Sequence, residues 1–209
     1  MIVTVFGASG KVGKLVVDEL LAQGYYVQAF VHKHNPFQPH ENLTIVKGDI
    51  FSEEDVRRAL HKADAIVSTL GSWGTDTKDV VSGAIKNIIP EMRDLEIRRI
   101  VTLTGSSALL PNEKISIMHK IERFFLKIFG KKILADGELH IQLLAKSSLD
   151  WTVIRSPIMT NSGSQNFKLS NTQPNPFASI NRAAVAQAIV TQLVDQESIR
   201  KAPHIVRSK

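Results

Sequence analysis

The chain has 209 residues, 43% of them hydrophobic, and carries 26 Lys and Arg against 20 Asp and Glu, a formal net charge of +6. This size predicts one domain with one sizeable core. The absence of cysteine excludes disulfides and thiolate chemistry, and the positive charge is too diffuse to argue for nucleic acid binding. No apolar run approaches a bilayer-spanning length and the first residues are already strand-like, so we expect a cytoplasmic protein without a signal segment or stable membrane insertion.

Strand-like and helical hydrophobic patterns alternate along the chain. Strands are predicted at 2–6, 26–31, 43–46, 65–70, 100–103, 151–154 and 204–206, and helices at 11–23, 52–61, about 77–93 and 182–194. This is the order of repeated βαβ units. Because such crossovers place helices on both faces of a parallel sheet, the pattern predicts an α/β, doubly wound architecture.

Three glycines follow the first predicted strand at intervals of three residues, at the start of the first predicted helix. The first glycine permits a turn with positive φ, the second lets backbone approach a phosphate, and the third allows close packing of helix on strand. The N–H groups at the helix N-terminus then face the anion. The pattern predicts a dinucleotide pyrophosphate site formed by Gly7, Ser9, Gly10, Lys11, Val12 and Gly13.

The residues after the second predicted strand indicate which dinucleotide is bound. NAD sites usually carry an acid here to hold the ribose hydroxyls, whereas NADP sites offer cations to the 2′-phosphate. This chain has His32 and Lys33 and no acid before Glu41. We therefore predict NADP(H) in preference to NAD(H), with Lys11 as a third phosphate contact. The alternative is that Lys33 and the neighbouring histidines form a solvated turn.

Seven segments in order carry a resemblance to a known family over nearly the whole chain. They are GASGKVG from residue 7, KGDIFSEEDVRRAL from 47, DAIVSTLGS from 64, DVVSGAIKNIIPEM from 79, RRIVTLTGSSA from 98, LDWTVIRSP from 149 and SINRAAVAQAIV from 179. The chain resembles the atypical short-chain dehydrogenase/reductase superfamily, in its NmrA-like and flavin reductase (biliverdin-IXβ reductase-like) branch. The resemblance implies a single Rossmann-like NAD(P)-binding domain over residues 1–209, with a small C-terminal substrate-binding portion and substrate-side elements in about 107–181.

The resemblance also implies roles for particular residues. Further cofactor contacts carry over to Asp49, Ile50, Leu70, Gly71, Thr104 and Pro157, and substrate contacts beside the nicotinamide to Ser106 and Ser107. Asp49 can equally cap the helix that starts near Ser52. Asn87 is assigned a structural role. The usual Arg-Pro pair before the nicotinamide turn is here Arg155-Ser156.

The Tyr and Lys pair on which most enzymes of the superfamily depend for proton transfer is absent. The only tyrosines are Tyr25 and Tyr26, beside the second predicted strand, and the dyad positions fall near Ile133 and Gly137. Alcohol and ketone interconversion by that mechanism is therefore not expected. Ser106 or Ser107 can orient a substrate but is a poor acid, which favours planar conjugated acceptors such as flavins, quinones or tetrapyrroles that take their proton from water.

Residues 111–132 form a basic, amphipathic segment. Ile115, Met118, Ile121, Phe125 and Ile128 recur at helical spacing among lysines and Arg123. We predict a lid packed on the core, whose aromatic side chains wall an apolar pocket for a planar substrate. The alternative is a helix that lies on a membrane or binds an anionic partner. His119 and His140, in or after this segment, are assigned to surface or core rather than to proton transfer.

The remaining sequence adds two expectations. Residues 161–176 are rich in Asn, Ser, Gln, Gly and Pro and predict a loop that closes over substrate, and no pattern of metal ligands is present. Three functions remain open: an NADPH-dependent reductase, a non-catalytic NADP(H) sensor that acts through a protein partner, and an assembly or scaffold protein that retains the cofactor fold.

Overall fold

The computed structural model describes residues 1–72 and 78–208, and strands and helices alternate through most of them. The strands in the described residues are β1 (Ile2–Phe6), β2 (Tyr26–Val31), β3 (Leu43–Lys47), β4 (Ala65–Ser68), β5 (Arg99–Gly105), β6 (Asp150–Ser156), β7 (Ile158–Thr160), β8 (Phe167–Ser170), β9 (Ser179–Asn181) and β10 (His204–Arg207). The helices are α1 (Lys11–Ala22), α2 (Glu53–Leu60), α3 (Val80–Asp94), α4 (Ile117–Phe129), α5 (Lys131–Lys146) and α6 (Arg182–Gln192).

The central sheet has the strand order β3-β2-β1-β4-β5-β6-β10-β8. Neighbouring strands are parallel except at the β10–β8 edge, where the pairing is antiparallel. The chain moves outward from β1 to β3, then returns to place β4 on the other side of β1, so β1 and β4 flank the point where the strand order reverses. Ligands of open α/β sheets bind at the carboxyl ends of the strands beside this point. The predicted α/β, doubly wound, parallel-dominated fold is confirmed.

Hydrophobic side chains on both faces of the sheet hold the helices in place. One cluster packs α1 and α6 against one face, through residues such as Val16 and Ile189, and the other packs α2, α3 and α5 against the opposite face, through residues such as Ile85 and Ile141. Strands covered on both sides must be apolar along their length, and β4 accordingly is buried from Ala65 to Ser68.

Two expectations for the substrate side are wrong. Residues 161–176, predicted as a loop, contain β8, which adds an antiparallel edge to the sheet because Phe167 and Leu169 pack on the core. Six large apolar side chains of α4, from Ile117 to Ile128, face solvent instead of packing on the core. The predicted start of the third helix at Thr77 lies outside the described residues; α3 begins at Val80 in the structure.

Candidate functional site

The glycine loop lies at the carboxyl end of β1, beside the reversal of strand order. Gly7 has a φ of 76°, and a Cβ there would lie 2.9 Å from the backbone nitrogen of Leu70. A Cβ on Gly13 would lie 2.0 Å from the carbonyl oxygen of Gly7, so only glycine lets α1 start this close to the strand. The roles of the first and third glycines predicted from their spacing therefore match the geometry of the loop.

The N-terminus of α1 is open to a ligand. Gly10 is the N-cap residue and supplies no side-chain hydrogen bond, and the first turn contains no acidic residue. Ser9, Gly10 and Lys11 are exposed, whereas Val12 is buried in the core below them. Unpaired amides and the positive end of the helix dipole make this an anion site. The loop and the amides behind it fit the pyrophosphate of a dinucleotide.

Thr69, which the sequence reasoning missed, fastens the glycine loop to the end of β4. Its backbone N–H donates to the carbonyl oxygen of Phe6 at 3.0 Å, and its hydroxyl donates to the carbonyl oxygen of Gly7 at 3.2 Å. Leu70 and Gly71 follow directly, with Gly71 exposed at the same sheet edge. The only signal for Thr69 was its position immediately before these two residues.

The predicted phosphate-binding residues lie on the next strand end, beyond β2. His32 and Lys33 are both exposed, and Lys33 has no ion-pair partner within residues 1–72 and 78–208. β2 pairs with β1 in parallel register, so these cations and the glycine loop emerge at the same edge. A free cation at that edge is suited to a phosphate.

Asp49 and Ile50 form the turn after β3. The carboxylate of Asp49 accepts the N–H of Phe51 at 3.0 Å, while Ser52, not Asp49, caps α2 by accepting from Asp55 at 3.3 Å. The backbone N–H of Asp49 donates to Asp55, and this bond is the main reason that the pKa of Asp55 is lowered. The backbone therefore orients Asp49 at the sheet edge.

Asn87 has the structural role predicted for it. Its side-chain amide donates to the carbonyl oxygen of Ile50 at 2.9 Å, which ties α3 to the turn after β3. The tie crosses from one layer of the fold to the carboxyl edge of the sheet.

Ser106 and Ser107, the two candidate substrate contacts, differ in their surroundings. The hydroxyl of Ser107 donates to Glu122 at 2.5 Å, and Arg123, itself paired with Glu138 at 2.6 Å, donates to the carbonyl oxygen of Ser107. Ser106 is held through its backbone, but its hydroxyl has no partner among the described residues. Ser106 is therefore the serine whose hydroxyl is free to bind a substrate.

The dyad positions cannot supply a proton donor. Gly137 on α5 is buried, and a Cβ there would lie 2.8 Å from the hydroxyl oxygen of Thr104 and 3.2 Å from the Cβ of Ala108. A longer side chain at this position would collide with the end of β5, where the predicted cofactor contact Thr104 is located. The tyrosines are also far from the site in the topology, since Tyr26 begins β2 at the opposite sheet edge.

The two histidines near the site are structural. His140 is fully buried, and its Nε2 lies 2.9 Å from the hydroxyl oxygen of Thr102. Burial lowers the pKa of His140 to about 4, although Asp136 opposes the shift, so the ring is neutral at pH 7. The ring nitrogens of His119 lie 2.8 Å from the hydroxyl of Ser116 and the carbonyl oxygen of Pro174. Their assignment to structure rather than to proton transfer agrees with this geometry.

A buried ion pair joins β6 to two loops beneath the substrate side. The guanidinium of Arg155, on β6, contacts Glu113 at 2.6 Å and donates to the carbonyl oxygen of Ala202 at 2.7 Å. Burial opposes the charge of Glu113, but His204 and Arg155, with the Leu110 amide, together lower its pKa to about 2. Burial lowers the pKa of His204. Arg155 therefore has a structural role in this protein, although Ser156 stands where the usual Arg-Pro pair has its proline.

Pro157, predicted to contact the nicotinamide, is buried directly after β6. It lines a cavity of about 330 Å³ together with Pro174, Phe177, Ala178, Ser179, Val206 and Arg207. The preceding residue, Ser156, accepts the backbone N–H of Ser106 at 2.8 Å. This bond brings the ends of β5 and β6 together and places Ser106 beside the turn that contains Pro157.

Asp136, also missed by the sequence reasoning, closes the N-terminus of α3 from the neighbouring helix α5. Its carboxylate accepts the backbone N–H groups of Ser82 at 2.7 Å and Val81 at 3.2 Å, and also binds the hydroxyl of Ser72. A cavity of about 530 Å³ opens beside it, lined by residues that include Lys78 and Lys132. No signal in the sequence identified Asp136, because its partners are more than fifty residues away.

Two further features are absent from the described residues. Among them, no three His, Asp or Glu side chains lie close enough together to hold a metal ion. In the same part of the chain, no helix is both long and apolar enough to cross a bilayer.

Comparison with known proteins agrees with this site. A family model described as NAD(P)H-binding matches residues 7–196. An uncharacterised chloroplastic protein of Arabidopsis thaliana is 24% identical over 220 residues, which cover 98% of this chain and 76% of that protein. Four other curated relatives match over less of their length, since the chain spans between 26% and 42% of each.

Two solved structures have the same fold. A short-chain dehydrogenase/reductase of Veillonella parvula, in complex with NADP, superposes with a TM-score of 0.80 at 16% identity and covers 99% of this chain and 94% of its own. ChuY, an anaerobilin reductase of Escherichia coli O157:H7, superposes with a TM-score of 0.77 at 18% identity and covers 100% and 98%. The predicted resemblance to NAD(P)-binding short-chain dehydrogenase/reductase proteins is confirmed, and the chain belongs to the NAD(P)H-binding family.

Proposed function

We propose that the protein is an NADPH-dependent reductase of a planar conjugated acceptor, of the flavin, quinone or tetrapyrrole type. The observation that carries the proposal is that the dyad positions hold Ile133, which cannot donate a proton, and Gly137, whose packing against Thr104 leaves no space for the dyad lysine. NADPH, when bound, supplies the hydride. An acceptor that takes its proton from water needs no dedicated acid from the protein.

The cofactor is held by backbone more than by side chains in this proposal. The amides at the start of α1 bind the pyrophosphate, and Gly7 and Gly13 let them approach it. Asp49 and Ile50 border the adenine, Leu70 and Gly71 the adenosine ribose, and Thr104 and Pro157 the nicotinamide. His32 and Lys33 contact the 2′-phosphate.

The preference for NADP(H) rests on charge. Both His32 and Lys33 are exposed at the edge where the glycine loop emerges, and the first acid after β2 in the sequence is Glu41. A cation stabilises the 2′-phosphate, whereas a carboxylate at the same place would repel it. The Veillonella parvula protein crystallised with NADP has the same fold, which supports the assignment without determining the preference.

Ser106 is proposed to bind the acceptor. It lies at the end of β5, its hydroxyl has no partner in the described part of the chain, and its N–H is bound to Ser156 next to Pro157. Its hydroxyl can donate to a carbonyl or ring nitrogen of a conjugated acceptor and hold the acceptor in one orientation. Ser107, bound to Glu122, fixes the loop instead.

The direct test is NADPH oxidation by the purified protein, with NADPH and NADH in separate runs, against free flavin, quinones and a linear tetrapyrrole. We expect turnover with at least one acceptor, and faster turnover with NADPH than with NADH. Tight NADPH binding without oxidation of any acceptor would contradict the reductase and favour the sensor. Absence of binding to either dinucleotide would contradict both.

The two serines offer a matched pair of variants for the role of Ser106. Ser106→Ala should lower kcat/KM by about 5- to 30-fold, the loss expected for one or two kcal/mol of a substrate hydrogen bond, and leave the Kd for NADPH unchanged. Ser107→Ala should lower thermal stability slightly and leave kcat/KM within about threefold of wild type. Equal effects of the two changes on kcat/KM would contradict the assignment.

A further inference from the structure

Helix α4 presents an apolar stripe to solvent. Six large hydrophobic side chains are more than half exposed, and they recur at three- and four-residue spacing on one face: Ile117 at 75%, Met118 at 52%, Ile121 at 54%, Phe124 at 61%, Phe125 at 54% and Ile128 at 58%. Single exposed apolar residues are common on protein surfaces, but a continuous stripe of this size marks a surface that contacts something else.

The opposite face of α4 is fixed to the body of the protein. His119 is buried and bound to Ser116 and Pro174, Glu122 accepts from Ser107, and Arg123 pairs with Glu138. These contacts set the rotation of the helix about its axis. The apolar stripe therefore faces outward because polar contacts hold the other side.

The charges around the stripe identify its partner as anionic. In residues 111–140 every acidic side chain is already bound inside the protein: Glu113 to Arg155, Glu122 to Ser107, Asp136 to the start of α3 and Glu138 to Arg123. The lysines of the same region are all exposed: Lys114, Lys120, Lys127, Lys131 and Lys132. The surface that remains is apolar in the middle and positive at its borders.

We propose that α4 docks the protein on an anionic lipid bilayer, with the apolar stripe in the interface between headgroups and acyl chains and the lysines at the phosphates. A helix with large apolar residues on one face and lysines beside them is the pattern of interfacial helices, and each basic residue near an anionic surface adds to the attraction. Docking of this kind requires no spanning segment, in agreement with the absence of one in the described residues.

A second copy of the chain is a poorer occupant. A two-fold contact between α4 helices would place the lysines of one copy beside those of the other, because such a contact uses the same patch on both copies. No exposed acid on α4 is available to compensate that repulsion, since Glu122 is bound to Ser107. A lipid surface brings only negative charge to these lysines.

The test is co-sedimentation of the full chain with vesicles of phosphatidylcholine alone or of phosphatidylcholine with phosphatidylglycerol. We expect binding to the phosphatidylglycerol vesicles only, and at least a tenfold loss of partitioning in the double variant Phe124→Ser, Phe125→Ser. The matched control is Ile158→Ser, Phe177→Ser, which removes two other exposed apolar side chains and should bind like wild type. Equal loss in both pairs would overturn the proposal.

The charge component has its own pair of variants. Lys120→Glu, Lys127→Glu should abolish binding to the anionic vesicles, whereas Lys86→Glu, Lys168→Glu, the same change of net charge away from α4, should lower it by less than threefold. Unchanged binding in the first pair would overturn the proposal. So would a wild-type dimer in light scattering that the Phe124 and Phe125 changes convert to monomer. These measurements use no dinucleotide and no acceptor, so their outcome is independent of the reductase assay.

Discussion

The N-termini of α1 and α3 lie at the same edge of the sheet, after the adjacent strands β1 and β4, and they are completed in opposite ways. α1 starts at Gly10 with no side-chain cap and no acid in its first turn. α3 is closed by the carboxylate of Asp136, which accepts the N–H groups of Val81 and Ser82. One helix leaves its amides for a ligand, and the other has them satisfied by the protein.

The difference shows how the fold selects one anion site from two equivalent positions. Both helices present the positive end of a dipole, but a carboxylate already bound at α3 excludes a second anion there. At α1, the glycines bring the amides to the surface and no side chain competes for them. Strand order puts the helices at the correct edge, and capping decides which of them binds the cofactor.

The largest effect is expected from adding a side chain at Gly13, in the open N-terminus of α1. Gly13→Ala places a Cβ 2.0 Å from the carbonyl oxygen of Gly7, so α1 must move away from β1 and its amides with it. We expect a loss of about 3 kcal/mol or more in the free energy of unfolding and loss of NADPH binding. Urea unfolding and fluorescence titration measure the two.

Gly105→Ala is the control for this change. A Cβ at Gly105 has no atom within 4 Å, so the same substitution should be tolerated within about 0.5 kcal/mol. If Gly13→Ala bound NADPH normally, the tight approach of α1 to β1 would not be required for the site.

We expect the free energy of unfolding to fall as the pH is lowered, because α5 contains the buried His140. His140 lies one turn after Asp136 on α5, and burial lowers its pKa from 6.5 to about 4. Between these pH values the unfolded chain takes up a proton that the folded protein does not, so stability falls as the pH is lowered. The expected loss from His140 between pH 7 and pH 4 is about 3 kcal/mol.

The measurement is urea unfolding from pH 7 to pH 4 for wild type and His140→Phe, which keeps a ring but no titrating group. His204, whose pKa burial also lowers, is present in both proteins and cancels. The variant should show a shallower dependence on pH. Parallel curves for the two proteins would contradict the assignment to His140.

Removing the cap of α3 should lower the free energy of unfolding by less than the Gly13→Ala change in α1. Asp136→Ala leaves the amides of Val81 and Ser82 and the hydroxyl of Ser72 without this acceptor, an expected loss of about 2 kcal/mol. NADPH binding should be retained, because α1 is unchanged. Asp79→Ala is the control, since Asp79 is the N-cap residue of α3 but makes no capping side-chain bond. Equal losses in the two variants would show that Asp136 does not cap α3.

The smallest effect tests cofactor choice at the end of β2, the strand next to the one that leads into the open terminus of α1. Lys33→Ala should weaken NADPH binding by about three- to tenfold, since an exposed charge pair contributes on the order of 1 kcal/mol, and leave NADH binding unchanged. Lys86→Ala, an exposed lysine on α3, should alter neither. Equal weakening of NADPH and NADH binding would contradict a contact with the 2′-phosphate.

Local pattern was enough to predict most of the fold. Apolar runs set β1 and β2 with the bounds that the structure has, and α1 ends one residue before its predicted end. β8 was missed because it is short and the residues on both sides of it have the polar composition of a loop; it is a strand because it pairs with β10. The prediction of a lid packed on the core was wrong for a related reason. The sequence pattern shows that α4 has an apolar face, but not whether that face points to the core or to solvent.

The candidate site was also predictable from the sequence only in part. The spacing of Gly7, Gly10 and Gly13 determined a turn and an open helix terminus, because those needs are local to the backbone. Ser106 and Ser107 were indistinguishable in sequence, and only the bond from Ser107 to Glu122 separates them.

By itself, the sequence determined the order of strands and helices from β1 to β5, the glycine loop at the start of α1, the family, and the absence of a Tyr and Lys dyad. The tertiary structure alone decided that Asp136 closes α3, that Thr69 fastens the loop to β4, and that the apolar face of α4 points outward. The physical reason is distance along the chain. Periodicity and backbone conformation depend on neighbouring residues, whereas caps, buried pairs and the direction of a helix face depend on partners that only folding brings together.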